Sequence, residues 1–379
     1  METTMYYEPA EILKTLHCHV QEMNNEQLGF LCGLIREKKP KKIVEVGVAA
    51  GGTTCVILKC MESLREGVLY SVDLNDNYWR DQSQKTGFML DKLPQGLKER
   101  HRLLIGKYLA ERLDEIAPSK DIDFLILDTV HSLPGELFDF IAAYPYLSEN
   151  AVVVLHDIVL NHLDGNFEAY ATKIVYDVVA ADKYFMLNTH TQGGQKAGME
   201  NIAAFQINFD TGKYISNCFS ATWDYFPQEQ ELDIYRKLVE REYEKKQLEL
   251  WDCAVKMQRL TRSVKYIKRD IGGWQEFIEL KRKWRLADKV CIYGFGVKGQ
   301  TYLDFAIREG LRVDAVVFSD GNPIGNIQVK GIPVYYISEI PFLPKECSFI
   351  NAGEREASIR TIMNNIRYEG YYKILNGFI

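Results

Sequence analysis

Two short apolar runs, each ending in a carboxylate and separated by a glycine-rich turn, constrain the fold of this chain most strongly. Residues 43–53 read IVEVGVAAGGT, and residues 69–73 read LYSVD. This order of strand, turn, helix and strand places a nucleoside at the carboxyl ends of parallel strands. Because glycine has no Cβ, the turn can bend sharply and approach a ligand closely. Asp73, which ends the second run, is predicted to accept hydrogen bonds from both ribose hydroxyls.

The three turn glycines, Gly47, Gly51 and Gly52, also limit the class of ligand. No Gly-Lys-Ser/Thr sequence follows them, so the turn is not a Walker A loop. Their spacing is not the Gly-x-Gly-x-x-Gly of dinucleotide sites either. Glu45, beside the turn, would repel a pyrophosphate and attract a cation. S-adenosylmethionine, which carries a sulfonium and an ammonium group, fits such an acidic site.

This turn resembles the first motif of class I S-adenosylmethionine-dependent methyltransferases. The branch it resembles most is related to the metal-assisted O-methyltransferases, whose motif often reads Glu-x-Gly-x-x-x-Gly-Gly-Ser/Thr-Thr. The matching residues are Glu45, Gly47, Gly51, Gly52, Thr53 and Thr54. The resemblance covers roughly residues 25–210, and the alternative is an NAD-type fold with a degenerate turn. It implies S-adenosylmethionine as the cofactor, bound by Glu45, Gly47, Gly51, Gly52, Thr53, Asp73 and Asp128.

Further apolar runs predict an α/β fold with a mostly parallel sheet. Near-continuous apolar runs are typical of parallel strands that are buried on both faces. The predicted strands are 102–106, 123–128 and 151–157, with a helix at 134–144. Two more, 184–188 and 202–207, flank a polar loop at 192–200 and have no helix between them. They predict a hairpin, which is how the sheets of class I methyltransferases end.

The chain divides into four predicted segments. These are an N-terminal helical segment (1–24), a methyltransferase domain (25–212), a helical linker (213–287) and a smaller Rossmann-like accessory domain (288–379). The linker region has no proline between Pro227 and Pro323 and is interrupted at Gly272-Gly273. Strong helix formers and apolar residues at helical spacing predict helices on both sides of that interruption. They either pack on the first domain or pair with a second copy in a homo-oligomer.

The last segment carries a complete Gly-x-Gly-x-x-Gly. Gly294, Gly296 and Gly299 follow a predicted strand, and Asp320 follows the next one. This context favours a nucleotide site at a helix start, with Asp320 on a ribose. The segment resembles small nucleotide-binding-like domains that accompany sugar-modifying transferases and N-acyltransferases in bacterial surface-polysaccharide pathways. It either binds a nucleotide-linked group or another subunit, or is a scaffold without a ligand. The third alternative, an NAD-dependent oxidoreductase, lacks a substrate domain after the motif.

The chemistry is therefore expected in the first domain. Methyl transfer requires a positioned acceptor and, for a hydroxyl, removal of its proton. The candidate catalytic residues are Asp128, His131 and His156, at the ends of the fourth and fifth strands. A histidine can act as the base without a metal, because its pKa lies near neutral pH. Asp128 and Asp157 could instead contact the cofactor or cap the following helices.

A resemblance to metal-dependent enzymes such as catechol O-methyltransferase suggests a cation at the same place. In those enzymes one carboxylate follows strand four and an Asp-Asn or Asp-Asp pair follows strand five. The resemblance implies Asp128, His156 and Asp157 as ligands of Mg²⁺, Mn²⁺ or Fe²⁺. The histidine favours Mn²⁺ or Fe²⁺ over Mg²⁺, which prefers oxygen ligands.

Composition excludes several partner classes. The net charge of −6 argues against a nucleic-acid surface, and eight cysteines without a C-x-x-C pair predict reduced thiols. Neither a signal peptide nor a long apolar span is evident, so we expect a cytoplasmic protein without a membrane partner. The predicted activity is O-methylation of a hydroxyl on a small-molecule acceptor. The acceptor is a sugar, a nucleotide-linked sugar (a nucleotide sugar) or a natural product. The alternative is a non-catalytic nucleotide-binding or scaffold protein.

Overall fold

The computed structural model describes residues 14, 22–64, 66–160, 172–187, 198–322, 328–353 and 355–376. The helical segment predicted at 1–24 lies almost entirely outside the described residues, as does most of the loop predicted at 192–200. The chain separates into two compact units, Met1–Val255 and Lys256–Ile379. Within the described residues, no helix has both the length and the apolar character that a membrane span requires.

The first unit is built on a sheet of seven described strands. They are β1 (Lys42–Val46), β2 (Val68–Asp73), β3 (His101–Ile105), β4 (Ile122–Leu127), β5 (Leu147–His156), β6 (Asp182–Phe185) and β7 (Ile202–Gln206). Their order is β3-β2-β1-β4-β5-β7-β6, and β7 is antiparallel to both of its neighbours. The other pairs are parallel. The predicted α/β class is confirmed, and the last two strands pair antiparallel as predicted.

Helices cover the sheet of the first unit. They are α1 (Asn25–Lys38), α2 (Gly52–Glu62), α3 (Gln95–Lys98), α4 (Leu113–Ile116), α5 (Gly135–Ala143), α6 (Lys173–Val178), α7 (Phe209–Tyr214) and α8 (Glu229–Glu242). Short 3₁₀ turns lie at Phe88–Lys92, Leu109–Glu111, Tyr144–Tyr146 and Ile215–Ser220. A capping box starts α1, because Asn24 and Gln27 each accept the other's backbone N–H at 2.8 Å.

The segment after β7 packs into the core of the first unit. The ring of Phe138 on α5 contacts the rings of Trp223, Tyr235 and Trp251, with centroids 5.1, 5.0 and 4.7 Å away. All four side chains are buried. The first half of the region suggested as a linker, 213–287, is therefore part of this unit. The boundary between the two units falls inside helix α9 (Lys245–Ile271).

The second unit has its own sheet. Its described strands are β8 (Lys289–Tyr293), β9 (Ala315–Phe318), β10 (Gln328–Val329), β11 (Ile332–Tyr336), β12 (Cys347–Asn351) and β13 (Lys373–Ile374). Their order is β10-β11-β9-β8-β12-β13, and β9, β8, β12 and β13 are parallel. The helices are α10 (Trp274–Leu286), α11 (Val297–Glu309) and α12 (Glu356–Tyr368), with a 3₁₀ turn at Ile337–Glu339. The predicted second α/β sheet is confirmed.

Candidate active site

A cavity of ≈720 Å³ opens where the carboxyl ends of β1, β2, β4 and β5 meet. The strand order reverses at this point, and ligands of open parallel sheets bind at such places. Carboxylates outnumber cationic side chains on its wall: Glu22, Asp73, Asp128, Asp139, Asp157 and Glu231 against Arg80, Lys107 and His156. The cavity therefore favours a positively charged ligand.

Gly47 brings the turn after β1 against the end of β4. Its φ is +94°, and a Cβ built there would lie 1.8 Å from the carbonyl oxygen of Asp128. Only glycine is compatible with this contact. Gly51 and Gly52 start α2 without lining the cavity, whereas Thr53 does line it. Of the four turn residues predicted to bind the cofactor, Gly47 and Thr53 line the cavity, and the other two shape the turn.

Asp73 lies at the cavity wall and also holds the turn. Its Oδ2 accepts the backbone N–H of Val48 at 2.9 Å and that of Ala49 at 3.3 Å. Its Oδ1 accepts the N–H of Asn75 at 2.8 Å. A carboxylate offers about four lone-pair sites, so acceptor capacity remains for a ribose hydroxyl.

The predicted contact of Glu45 with the cofactor stays a prediction, and the structure describes other partners for this side chain. The side chain is buried and does not line the cavity. Its Oε2 accepts the hydroxyls of Thr54 at 2.8 Å and Ser71 at 2.6 Å, and Ser71 Oγ also lies 2.9 Å from His101 Nε2. Burial raises the pKa of Glu45 to about 7. Glu45 therefore supports the turn from inside the sheet.

Asp128, His131 and Asp157 converge on one point of the cavity. His131 Nε2 lies 3.2 Å from Asp157 Oδ2, and His131 Nδ1 lies 3.8 Å from Asp128 Oδ1. One ligand atom from each residue lies within 4.8 Å of the other two. His131 and Asp157 have φ values of +55° and +53°. The left-handed region costs a non-glycine residue about 1 kcal/mol, so the surrounding contacts must hold both residues in place.

Two polar residues hold this cluster in position. Glu136, on α5, accepts the backbone N–H of His131 at 2.8 Å through Oε1, together with the hydroxyl of Thr129 at 3.0 Å. Asn201 donates its amide N–H to Asp157 Oδ1 and accepts the backbone N–H of Val159 at 2.9 Å. Neither residue was predicted. The available signal for Glu136 was an acidic residue among the apolar residues of GELFDF, a stretch that also contains Asp139.

His156 is fixed between a carboxylate and an amide. Its Nδ1 lies 3.0 Å from Asp128 Oδ1, and its Nε2 lies 3.2 Å from Gln27 Oε1. The amide orientation of Gln27 follows from its other bonds. Its Oε1 accepts the Asn24 N–H at 2.8 Å, and its Nε2 donates to Glu200 at 3.0 Å. Both ring nitrogens of His156 therefore face acceptors and act as donors.

The predicted roles of His156 as a general base and as a metal ligand stay predictions, which this geometry does not favour. Burial alone would lower the pKa of His156, but the charges of Asp128 and Asp157 raise it to about 10. An imidazolium has no lone pair for a metal or a proton. His131 occupies the place in the metal cluster that the sequence suggested for His156. The role that remains for His156 is to orient Asp128 and Asp157.

In the second unit, the glycine turn lies between β8 and α11. Gly294 has a φ of +91°, Gly296 caps α11, and a Cβ on Gly299 would lie 2.1 Å from the carbonyl oxygen of Gly294. Gly299 therefore allows close packing of helix against turn. Asp320, past the end of β9, accepts the hydroxyl of Ser338 at 2.8 Å. The predicted nucleotide site stays a prediction.

A comparison with protein families assigns the first unit to a class. Residues 44–158 match the family model described as a methyltransferase domain. The matched segment runs from β1 to the end of β5 and contains the glycine turn, Asp73, Asp128, His131 and Asp157. The chain is thus an enzyme of the methyltransferase class, and the match supports the resemblance to class I S-adenosylmethionine-dependent methyltransferases.

Solved structures of O-methyltransferases resemble part of the chain. TomG from Streptomyces achromogenes, in complex with SAM, is 14% identical with a TM-score of 0.38, over 53% of this chain and 87% of that one. An O-methyltransferase from Bacillus cereus, in complex with SAH, is 14% identical with a TM-score of 0.38, over 52% of this chain and 90% of that one. MycE of the mycinamycin biosynthetic pathway, in complex with Mg, SAH and mycinamycin VI, is 15% identical with a TM-score of 0.36, over 54% of this chain and 56% of that one. Similarities at this level do not assign a ligand or substrate.

Proposed function

We propose that this chain is an S-adenosylmethionine-dependent O-methyltransferase. The observation that carries the proposal is the convergence of Asp128, His131 and Asp157 on one wall of the acidic cavity. S-adenosylmethionine, when bound, supplies an electrophilic methyl group on a sulfonium. Gly47 and Asp73 line the same cavity. The turn at Gly47 and the carboxylate of Asp73 hold the nucleoside, while the cluster of Asp128, His131 and Asp157 faces the acceptor.

The cluster fits a divalent cation. Two carboxylates and one imidazole form a donor set typical of Mn²⁺ or Fe²⁺, and Mg²⁺ would use the carboxylates. The Nδ1 atom of His131 is buried and has no hydrogen-bond partner among the described residues. A metal-ligand bond would satisfy it. A cation bound there would lower the pKa of the acceptor hydroxyl.

His131 also fits the role of a proton acceptor. His131 Nε2 lies 3.2 Å from Asp157 Oδ2, and the tautomer with its proton on Nε2 keeps the lone pair on Nδ1. The same nitrogen can therefore hold a cation or remove the proton of the acceptor, but it cannot do both at once. Exhaustive chelation separates these mechanisms. Methyl transfer that survives chelation leaves His131 as the base, and transfer that is lost and restored by Mn²⁺ assigns it to the metal.

We propose a hydroxyl on a sugar, a nucleotide-linked sugar or a natural product as the acceptor. Trp79 lines the cavity with 61% of its surface exposed, and the Arg80 guanidinium lies 4.5 Å from its ring centroid. An exposed aromatic face of this kind suits a sugar ring or a planar group. Assaying labelled S-adenosylmethionine against a panel of such hydroxyl compounds tests this proposal.

Cofactor binding is tested by calorimetry with S-adenosylhomocysteine. Wild type should bind, and Asp73→Ala should lose about 30-fold or more in affinity, because a ribose contact and the support of the turn disappear together. Asp76→Ala is the matched control, since Asp76 is exposed and does not line the cavity. Binding of NAD in place of S-adenosylhomocysteine would contradict the methyltransferase proposal and favour an NAD-dependent oxidoreductase.

A further inference from the structure

Positive charge is concentrated in one segment of the second unit. Between residues 256 and 286 the sequence has ten lysine and arginine residues and three acidic ones. The rest of the chain has 36 basic and 49 acidic residues, out of totals of 46 and 52. The segment comprises the part of α9 that belongs to the second unit and the whole of α10. A basic segment in an acidic chain indicates a surface for an anionic partner.

Helix α10 has apolar side chains on two opposite faces. The inner face is buried in the core of the second unit and consists of Phe277, Leu280 and Trp284. The outer face consists of Trp274, Ile278 and Leu286, which are 55%, 52% and 71% exposed. A surface helix of a globular protein typically has one apolar face and one polar face. The outer face of α10 therefore presents more apolar surface than the core of the unit requires.

Two arginines share this outer face. Because an α-helix turns by about 100° per residue, Trp274, Ile278, Arg282, Arg285 and Leu286 fall within an arc of about 120°. Both arginines are exposed. Around the arc, Arg285 lies between Trp274 and Ile278, and Arg282 lies between Ile278 and Leu286. Apolar and cationic side chains thus alternate across one exposed surface.

The ring of Trp274 is held in place at the edge of this surface. It stacks on the ring of Phe277, with centroids 5.6 Å apart and an angle of 27° between the planes. Lys268 Nζ, on α9, lies 4.7 Å from the same ring. Tryptophan is enriched where one side of its ring meets apolar groups and the other meets water. A fixed and half-exposed tryptophan beside cations is typical of such a boundary.

The acidic residues of α10 do not cancel its positive charge. The helix has four basic residues, all between Lys281 and Arg285, and two acidic ones. Glu279 Oε1 lies 2.6 Å from Arg282 Nη2 and 3.9 Å from Lys283 Nζ. Exposed ion pairs of this kind contribute little stability, so the arginine can exchange its carboxylate for a phosphate.

The alternation of side chains distinguishes between partners. A protein interface places its charged groups mostly at a polar rim, whereas the arginines of α10 lie between apolar side chains. A nucleic acid would bind the guanidinium groups through its phosphates but would offer little to Ile278 and Leu286. At a bilayer surface, headgroup phosphates lie directly above acyl chains, so arginines and apolar side chains are both accommodated.

We infer that the outer face of α10 docks on an anionic lipid surface. Trp274, Ile278 and Leu286 enter the boundary between headgroups and acyl chains, and Arg282 and Arg285 bind headgroup phosphates. This partner differs from the expectation drawn from overall composition, because the net charge of −6 averages a basic segment with an acidic remainder. The inference goes beyond the proposed methyl transfer and does not depend on it.

Co-sedimentation of the full chain with lipid vesicles tests the inference. We expect wild type to bind vesicles of equal parts phosphatidylserine and phosphatidylcholine at least about 10-fold more tightly than vesicles of phosphatidylcholine alone, and less tightly as salt is added. The double variant Arg282→Gln/Arg285→Gln should lose at least about 10-fold of the affinity for the anionic vesicles. Ile278→Gln should weaken the same binding, because an apolar side chain no longer enters the boundary.

Arg360→Gln/Arg367→Gln is the matched control. It removes the same charge from exposed positions of α12, another helix of the second unit, and should leave vesicle binding unchanged. Circular dichroism checks that each variant keeps its helices, which we expect because the substituted arginines are exposed and glutamine is a good helix former.

The other outcomes would each overturn the inference. Wild type that binds neither kind of vesicle, or both equally, has no anionic lipid site. Loss of binding in the Arg360→Gln/Arg367→Gln control to the same extent as in Arg282→Gln/Arg285→Gln would attribute the effect to net charge. A wild-type oligomer that dissociates in Arg282→Gln/Arg285→Gln, measured by sedimentation velocity, would assign the face to a second copy of the chain. None of these measurements uses the cofactor, so they leave the methyltransferase proposal unaffected.

Discussion

The two units contain the same backbone turn in the same sheet setting, but only one turn is surrounded by reactive groups. In the first unit, the Gly47 N–H donates to Val72 and the Asp128 N–H donates to Val46, each at 2.9 Å. In the second unit, Gly294 and Ala352 repeat these two bonds at 2.9 Å, to Val317 and Tyr293. The backbone at these positions is equivalent, so the side chains make the difference.

Two substitutions and one change of hydrogen-bond partner separate the two turns. The place of Asp128 is taken by Ala352, and that of the buried Glu45, two residues before the first glycine, by Ile292. The carboxylate after the neighbouring strand binds the turn itself in the first unit, whereas Asp320 binds Ser338 in the second. A glycine turn thus provides a place for a ligand, and the surrounding carboxylates define its chemistry.

The largest effect is expected from adding one methyl group to each turn. Gly47→Ala places a Cβ 1.8 Å from the Asp128 carbonyl oxygen at a φ of +94°. This clash should lower the free energy of unfolding by about 3 kcal/mol or more. It should also weaken S-adenosylhomocysteine binding at least about 100-fold. Gly299→Ala, 2.1 Å from the Gly294 carbonyl oxygen, should destabilise the chain but leave that affinity unchanged. Calorimetry and chemical denaturation measure both effects.

Gly96→Ala is the neutral control, because nothing lies within 4 Å of its Cβ position. If Gly299→Ala weakened S-adenosylhomocysteine binding as strongly as Gly47→Ala, the assignment of the cofactor to the first turn would fail.

The next effect concerns the buried carboxylate that only the first turn has. The pKa of Glu45 rises from 4.5 to about 7, so its contribution to folding is fully present below pH 4.5 and is lost as the pH rises through 7. Glu45→Gln should therefore gain about 3 kcal/mol of stability relative to wild type between pH 4.5 and 7.5. Urea denaturation of both proteins at each pH measures this difference.

His101 opposes Glu45 in the wild type. Burial lowers the pKa of His101 from 6.5 to about 4, so stability from this group is present above pH 6.5 and is lost as the pH falls through 4. Asp139, whose pKa burial also raises to about 7, opposes His101 in both proteins, so the difference in stability between Glu45→Gln and wild type at each pH isolates Glu45. A constant difference between Glu45→Gln and wild type at all pH values would contradict the buried, proton-binding state of Glu45. The exposed Glu99→Gln serves as the control.

The sheets could be predicted because parallel strands need continuous apolar runs, and IVEV, FLIL and VVVL leave few alternatives. The site was harder to predict, because residues far apart in the chain set the side-chain roles. Gln27 contacts His156 across 129 positions, which no local pattern of the sequence indicates. Glu45 was read as a pocket acid because the sequence cannot show which face of β1 it occupies relative to Ser71. Glu231 lines the cavity because α8 packs on α5, and Tyr225 lines it because its backbone N–H binds the Leu133 carbonyl oxygen at 3.2 Å.

A smaller effect is expected for metal binding at carboxylates that follow strands in the two units. Wild type should bind Mn²⁺, measured by electron paramagnetic resonance of the free ion. Asp157→Asn should lower that affinity about 10-fold or more, because a charged ligand of the cluster is lost. Asp320→Asn, in the second unit, should leave Mn²⁺ binding unchanged. Wild type that binds no Mn²⁺, Mg²⁺ or Fe²⁺ would remove the metal and leave His131 Nδ1 as the proton acceptor.

The smallest effect is expected at the second turn. A nucleotide sugar such as UDP-glucose should bind the second turn at least about 10-fold more weakly than S-adenosylhomocysteine binds the first unit. The reasons are that Asp320 already accepts the hydroxyl of Ser338 and that no carboxylate stands in the place of Asp128. Gly296→Val should abolish this binding, since the helix start of α11 is the predicted phosphate site. Calorimetry of the full chain measures both, with NAD as the comparison ligand. Tight binding that survives Gly296→Val would place the nucleotide at a site other than this turn. Equal affinity at the two turns would show that the glycine backbone, rather than the surrounding carboxylates, sets the strength of binding.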